Sequence, residues 1–252
     1  MMRTIWVILM LVMSMTALVK AQDAGAFNRG NELYRSGDYR GAIEAWTTIL
    51  DEGQHSGAVY FNLGNAHYKL NEIGPSIYFY EKALQLDPFN SDISNNLAYA
   101  RNATVDAIEP LPTSVFTRWY HGVTDLFDYE GWALWVIAWI VGFSVFFLMY
   151  YFGRSERLKR LFFVLAFSCL GMGIIALFLA YQVRTEQRED RPAIIFAESS
   201  EVLSEPTRNS DLSFVLHEGT KVQILSRDGD WVRVQIADGQ DGWMRLSDLK
   251  EL

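Results

Sequence analysis

Two long hydrophobic stretches without a charged residue interrupt the chain, over residues 131–153 and 161–183. Each is about 23 residues long, and about 20 apolar residues in a helix cross the hydrocarbon core of a bilayer. A helix in the core of a soluble protein rarely stays uncharged for so long, because one of its faces meets water. The pattern therefore predicts two transmembrane helices that form a hairpin.

The short connector between these stretches, residues 154–160, is basic. It carries Arg154, Arg157, Lys159 and Arg160 against a single acidic residue. Basic connectors stay on the cytoplasmic side of a membrane. We therefore expect a two-pass protein of a bacterial inner membrane, with both the N-terminal and the C-terminal parts in the periplasm.

The N-terminal residues 1–21 have the pattern of an export signal. Arg3 precedes an apolar stretch over residues 5–18, and Ala21 ends a segment that resembles a cleavage site. We expect a signal peptide, which would become a membrane anchor if it is not cleaved. The orientation of the following residues is the same in either case.

Helical periodicity with an internal repeat marks residues 22–104. The segments 23–56 and 57–90 align without gaps at a period of 34 residues. Residues 91–102 partly repeat the pattern once more and are expected to form a capping helix, since a solenoid must cover its last exposed face.

The second copy contains YFNLGNAHYKLNEIGPSIYFYEKALQLDP and resembles a tetratricopeptide repeat, with small residues at Gly64 and Ala83 and aromatic residues between them. The resemblance implies an all-α solenoid of antiparallel helix pairs whose first helices line a concave face. The residues it places there, as candidates for binding a peptide or protein, are Phe27, Asn31, Tyr34, Arg35, Phe61, Asn62, Asn65, Tyr68 and Lys69.

An apolar or aromatic peptide segment is the ligand that we expect in this groove, with aromatic side chains as anchors. The alternative is a carboxylate clamp, because Asn31 and Asn62 resemble the asparagines of chaperone-binding repeats. The lysines of such a clamp are not matched, since Phe27 and Asp92 stand in their places.

Between the repeats and the first hydrophobic stretch, residues 105–130 contain a proline-rich linker and then an amphipathic pattern. Phe116, Trp119, Tyr120, Val123 and Phe127 recur at helical spacing. Aromatic residues of this kind favour the membrane–water interface. We expect an interfacial helix, and the alternative is a further solenoid helix packed on the repeats.

After a linker over residues 184–191, residues 192–252 alternate between apolar and polar positions. Asp-Gly pairs at residues 228–229 and 238–239 separate short apolar runs, which predicts antiparallel strands joined by tight turns. We expect strands at residues 193–196, 201–203, 221–225, 231–236 and 242–244.

The segments SFVLHEGTKVQIL, DGDWVRVQI and DGQDGWM resemble bacterial SH3-type domains, which implies a small all-β barrel. Such domains bind peptides, including those of the cell wall, through aromatic grooves. The candidates for that groove are Phe214, Trp231 and Trp243, although for Trp231 a place in the core is expected ahead of a ligand contact.

The chemistry of the remaining residues argues against an enzyme. The net charge of −8 disfavours nucleic acid as a partner, because an acidic surface repels phosphates. The four histidines show no metal-ligand spacing, and no nucleophile or phosphate-binding motif occurs. We therefore expect no catalytic residues, cofactor or metal; a hydrolase with an unrecognised site is the weaker alternative.

The order of signal, repeats, hairpin and SH3-type domain resembles the BatE family of the Bacteroides aerotolerance operons. That resemblance implies association with membrane proteins carrying von Willebrand factor A domains and with a MoxR-class ATPase. We expect a non-enzymatic scaffold or adaptor in an envelope stress or aerotolerance complex. The alternative is a membrane anchor that binds or senses peptidoglycan.

Overall fold

A computed structural model describes residues 25–252, which form two compact units. One unit contains the described residues up to Pro110 together with Arg191–Leu252, and the other is Leu111–Asp190. The predicted signal peptide lies outside the described residues.

The first unit begins with helices arranged as antiparallel pairs. They are α1 (25–36), α2 (Tyr39–Asp51), α3 (Gly57–Lys69), α4 (Ile73–Leu86) and α5 (Ser91–Arg101). Side-chain oxygens that accept backbone N–H groups fix three of the starts, at Asp38, Ser56 and Asn90.

Large and small side chains alternate in the core of this helical solenoid. Trp46, Leu63, Ile77 and Tyr80 are almost fully buried. The ring of Tyr80 packs on Gly64, where an added Cβ would lie 2.6 Å from a ring carbon. The predicted all-α solenoid is confirmed, and its tight helix contacts follow from small residues facing aromatic ones.

The C-terminal part of the same unit is an antiparallel seven-stranded sheet, which confirms the SH3-like fold. Its strands are β1 (Pro192–Ile195), β2 (Ser199–Leu203), β3 (Leu212–His217), β4 (Lys221–Asp228), β5 (Trp231–Gln235), β6 (Asp241–Arg245) and β7 (Leu249–Glu251). The order is β3-β2-β6-β5-β4-β1-β7, so the last strand pairs with the first.

Helix α4 joins the repeats to this SH3-type domain. Ile194 of β1 is fully buried among the core residues of the repeats. Gly219, with φ of +87°, lies in the turn between β3 and β4 and approaches Ile73 and Ile77 so closely that a Cβ would meet them at 3.2 and 3.0 Å. Residues of the SH3-type domain therefore complete the core of the repeats, beside a separate core of their own.

Two carboxylates reinforce this junction. The Glu81 side chain, 11% exposed, accepts hydrogen bonds from Arg101 (2.5 Å) on α5 and from Lys221 (3.0 Å) on β4. Asp106 accepts bonds from the His217 backbone N–H (2.7 Å) and the Thr220 hydroxyl (2.6 Å), and its other oxygen lies 2.7 Å from His217 Nδ1. Each buried charge thus has more than one partner.

The second unit is a helical hairpin with a short helix beside it. It consists of α6 (Val115–Thr124), α7 (Tyr129–Phe152) and α8 (Glu156–Glu189). Helices α7 and α8 are long and apolar enough to cross a membrane.

Helix α8 is longer than the second hydrophobic stretch at both ends. Arg157, Lys159 and Arg160 lie in its first turns instead of in a loop, and the expected linker after residue 183 is helical as far as Glu189. Extending a helix that has already formed costs little free energy, and no proline interrupts the sequence between Glu156 and Pro192.

Helix α6 packs on the hairpin. The Trp132 indole N–H donates to the Thr124 carbonyl (3.1 Å), and the Tyr120 hydroxyl donates to Glu186 (2.8 Å). Phe116 and Trp119 remain 72% and 65% exposed. The alternative of a further solenoid helix does not describe α6, because α6 belongs to the unit that contains the two long apolar helices.

Candidate functional site

A cavity of ≈330 Å³ opens on the inner face of the repeats, which is formed by the first helix of each pair. We call it the inner-face pocket. Its lining residues come from α1, α3, α4 and α5 and are Tyr34, Asn65, Tyr68, Lys69, Tyr80, Asn96 and Tyr99.

A hydrogen-bond network organises the floor of this pocket. The oxygen of the Asn65 side chain accepts from the Tyr80 hydroxyl (2.7 Å) and from the Asn96 amide (2.9 Å). On the same face, the Asn62 amide donates to the Asn31 side-chain oxygen (3.2 Å). Asparagines from neighbouring first helices are therefore paired, which holds their side chains in place.

The polar groups of the pocket are neutral apart from one cation. Its lining contains four phenols, two amides and the Lys69 ammonium, and no carboxylate. Burial raises the pKa of Tyr80 and of Tyr34 above the ordinary value of 10.0, so both phenols remain protonated at neutral pH. The pocket is chemically suited to polar groups and carries no negative charge of its own.

The predicted binding residues divide into two sets. Tyr34, Asn65, Tyr68 and Lys69 come together in the pocket. Phe27 and Phe61 instead pack against the core of the repeats, where the Phe27 carbonyl accepts from the Trp46 indole (3.4 Å).

The remaining candidates lie beside the pocket or apart from it. Asn31 and Asn62 form their own pair, and Arg35 is exposed on α1. The pocket is thus more polar than the aromatic groove expected from the sequence.

Three pocket residues were missing from the predicted set: Tyr80, Asn96 and Tyr99. The signal that could have found the last two is a spacing of 31 residues. The paired asparagines Asn31 and Asn62 are 31 residues apart, and so are Asn65 and Asn96. This offset is shorter than the 34-residue repeat by about one helical turn. It brings the side chains of neighbouring first helices face to face.

The SH3-type domain carries a second polar surface. The Arg245 guanidinium lies 4.0 Å from the centre of the Trp231 ring. Both residues line a cavity of ≈430 Å³ together with Arg208, Glu201 and Asp248. Val232 and Val234 of β5 face inward and belong to the core, whereas Trp231 is only partly buried and lies outside that core. The expected place of Trp231 in the core is therefore wrong.

The three predicted groove residues do not share one environment. Phe214 packs against the core of the SH3-type domain. Trp243 lies opposite Arg233 in the β5–β6 ladder. Of the three, Trp231 is the one that lines the described cavity.

Residues that could bind a metal ion are not clustered in the described part of the chain. Within residues 25–252, no three histidine, cysteine, aspartate or glutamate side chains are grouped so that they could hold a metal ion.

Comparison with known families identifies both domains. Residues 27–91 match the tetratricopeptide repeat, and residues 200–250 match the bacterial SH3 domain. These matches confirm the two modules expected from the sequence. They are interaction modules, and no enzyme family is matched. No match was found among curated proteins.

Solved structures give only partial overlap. An NlpC/P60 family protein from Bacillus cereus is 18% identical, with 28% of this chain and 23% of that chain covered and a TM-score of 0.22. The C-terminal SH3 domain of myosin IB from Entamoeba histolytica is 22% identical, with 25% of this chain and 95% of that chain covered and a TM-score of 0.18.

Proposed function

We propose that this protein is a non-enzymatic scaffold anchored in a bacterial inner membrane. The hairpin holds it in the membrane, and the repeats bind a partner protein through the inner-face pocket on the periplasmic side. The observation that carries the proposal is the pocket itself, a preformed polar cavity on the inner face of an interaction module. Attachment to a membrane raises the local concentration of a bound partner without new contacts.

The resemblance to the BatE family suggests the complex in which such a scaffold works. Membrane proteins with von Willebrand factor A domains and a MoxR-class ATPase are the proposed partners, in an envelope stress or aerotolerance complex. The joint between the repeats and the SH3-type domain supports a scaffold, because a bound partner is then held at a fixed position relative to a second binding module.

In-cell crosslinking followed by mild detergent extraction and mass spectrometry tests this function. The pocket variant is Tyr68→Ala/Tyr99→Ala, which removes two rings that are 39% and 67% exposed. Phe89→Ala is the matched control, since Phe89 is 98% exposed and lies outside the pocket. We expect von Willebrand domain proteins to be recovered with the wild type and the control, and to be lost with the pocket variant.

A peptidoglycan-binding or wall-sensing anchor is the second candidate. The observation that favours it is the cavity lined by Arg208, in which the Arg245 guanidinium lies over the Trp231 ring. Mixed charges and an aromatic face suit a peptide that carries both amino and carboxylate groups. Recovery of wall fragments alone, unchanged in the pocket variant, would make this function the better one and contradict the scaffold.

A further inference from the structure

We propose that a groove between α7 and α8 binds one anionic phospholipid, with an acyl chain along the groove and the headgroup phosphate at Arg184. The inference goes beyond the proposed function. It shares with that function only the placement of the hairpin in a membrane.

Two adjoining cavities form this groove, which we call the hairpin groove. They have volumes of ≈320 and ≈120 Å³ and share Val136 and Leu177, so they follow one another along the two helices. Of the other lining residues on α8, Gly173 and Ala180 are buried and Ile174 is exposed. Small buried residues beside large exposed ones leave a channel that is open to the surrounding lipid.

The length of the hairpin groove is comparable to one leaflet of a bilayer. Below Arg184, its lining residues on α8 extend from Tyr181 to Cys169, which is about 18 Å of helix. Half of a hydrocarbon core is about 15 Å thick. A transmembrane helix of a partner would cross both leaflets, whereas an acyl chain occupies one. The dimensions therefore favour a lipid chain as the occupant.

Arg184 supplies a positive charge at the end of the hairpin groove. It is the first charged residue after the apolar stretch 161–183. Its guanidinium lies 5.2 Å from the centre of the Tyr129 ring, and both residues line the groove. Within residues 25–252, no salt bridge includes Arg184. A guanidinium that has no acidic partner can hold a phosphate through two parallel N–H bonds.

The lining of the hairpin groove also distinguishes an anionic headgroup from a zwitterionic one. It contains Arg184 and no carboxylate. A choline or ethanolamine headgroup would bring an ammonium for which the lining offers no ion-pair partner. A headgroup with a net negative charge gains the attraction of Arg184 without that mismatch.

Native mass spectrometry of the full-length protein in mild detergent tests the proposal. Phosphatidylglycerol and phosphatidylcholine with identical acyl chains are titrated separately, and the lipid-bound fractions give the two dissociation constants. Because only the headgroup differs, the ratio of these constants isolates the contribution of the charge.

We expect phosphatidylglycerol to bind about three- to fivefold more tightly than phosphatidylcholine, the upper range for a partly exposed ion pair. Arg184→Met should abolish this preference. Arg188→Met is the matched control, because it removes a positive charge from an exposed position one turn further along α8 that does not line the groove.

Ala133→Phe tests the place of the acyl chain. Ala133 lines the hairpin groove, and a phenyl ring there would fill it. Both lipids should then bind about tenfold more weakly, as expected when about two methylene groups are displaced. Ala138→Phe is the control, because Ala138 is exposed on α7 outside the groove. Circular dichroism checks that all four variants are helical.

Equal affinities of the wild type for the two lipids would overturn the proposal, and so would equal effects of Arg184→Met and Arg188→Met. Equal effects of Ala133→Phe and Ala138→Phe would also overturn it. A dimer that Ala133→Phe removes, with lipid binding unchanged, would assign the groove to a second copy of the chain instead. The scaffold itself fails on a different result, the recovery of no repeat-dependent partner by crosslinking.

Discussion

At residue 64 the interior of the repeats has room for a hydrogen atom but not for a methyl group. An added Cβ would lie 2.6 and 2.7 Å from two carbons of the Tyr80 ring. That ring cannot easily move, because its hydroxyl is bonded to Asn65 and the side chain is 2% exposed. The same contact places Tyr80 at the floor of the inner-face pocket.

Gly64→Ala should therefore destabilise the repeats by about 1–3 kcal/mol, the usual cost of overpacking a filled core. Urea unfolding in mild detergent, followed by circular dichroism, measures the change. Gly57→Ala on the same helix is the control, since its Cβ would meet its nearest neighbour at an ordinary 3.5 Å. Equal stability of the two variants would show that the Gly64–Tyr80 contact is not tight in solution.

Individual residues also show where sequence reasoning reached its limit at the site. Four of nine candidates on the inner face line the pocket, because the repeat pattern identifies the first helices. The pattern does not determine how each helix is rotated about its axis. Phe27 and Phe61 turn towards the core, and the offset of 31 residues brings in Asn96 from the capping helix.

Among the elements, α4 packs against two others, α3 on one side and the SH3-type domain on the other. One side carries Tyr80 and Ser76 towards α3, where the Ser76 hydroxyl donates to the Gly64 carbonyl (2.9 Å). The other side presents the Gly74 N–H, which donates to Glu218 (2.9 Å), and Tyr78, whose ring lies 5.5 Å from that of Phe196. A helix with both faces covered has little freedom to shift.

The residues after α5 complete this junction through Asp106, and its ionisation makes the junction sensitive to acid. Burial raises the pKa of Asp106, but hydrogen bonds from Thr220 and His217 outweigh that effect and hold the pKa below its ordinary value of 3.8. A carboxyl with a lower pKa in the folded state stabilises the fold above its unfolded pKa. The contribution is lost as the pH falls through the folded value.

Asp106→Asn should therefore lower the thermal midpoint at pH 7 and flatten its decline as the pH falls below the ordinary pKa of an aspartate, about 4. Asp51→Asn serves as the control, because Asp51 is exposed on α2. Melting curves of the full-length protein at several pH values provide the measurement. Parallel declines in the wild type and Asp106→Asn would contradict a role of this carboxylate in acid stability.

The elements themselves were largely predictable, because burial imposes period and length on the hydrophobic pattern. The repeat helices, the two long apolar helices and five strands follow from it. Strand β3 did not, since most of its residues are not buried and its alternation is weak, and β7 is only three residues long. The junction on α4 could not be seen either, because its contacts join residues more than a hundred positions apart.

For the whole molecule, the contacts between the repeats and the SH3-type domain constrain how the chain can cross a membrane. The repeats precede residues 111–190 and the SH3-type domain follows them, yet the two form one compact unit. They must lie on the same side of any membrane that the intervening helices enter. The number of crossings between them is therefore even, a conclusion that is independent of the basic connector.

Single thiols can test which side that is. The chain has one cysteine, Cys169, and it is buried, so Cys169→Ala provides a background without thiols. In that background we expect a membrane-impermeant maleimide to label Asn209→Cys in intact spheroplasts, and to label Ser155→Cys only after lysis. Both positions are exposed. The opposite labelling pattern would reverse the proposed orientation.

The junction on α4 also sets an order of events during synthesis. The ribosome completes the repeats first, then the second unit, Leu111–Asp190, and only then the strands that cover α4. At about 10 residues per second, Glu81 waits roughly 14 s for Lys221, which follows it by 140 residues. Throughout this interval Glu81 lacks Lys221, and Asp106 lacks His217 and Thr220. A chain that terminates within the hairpin keeps this face of α4 uncovered permanently.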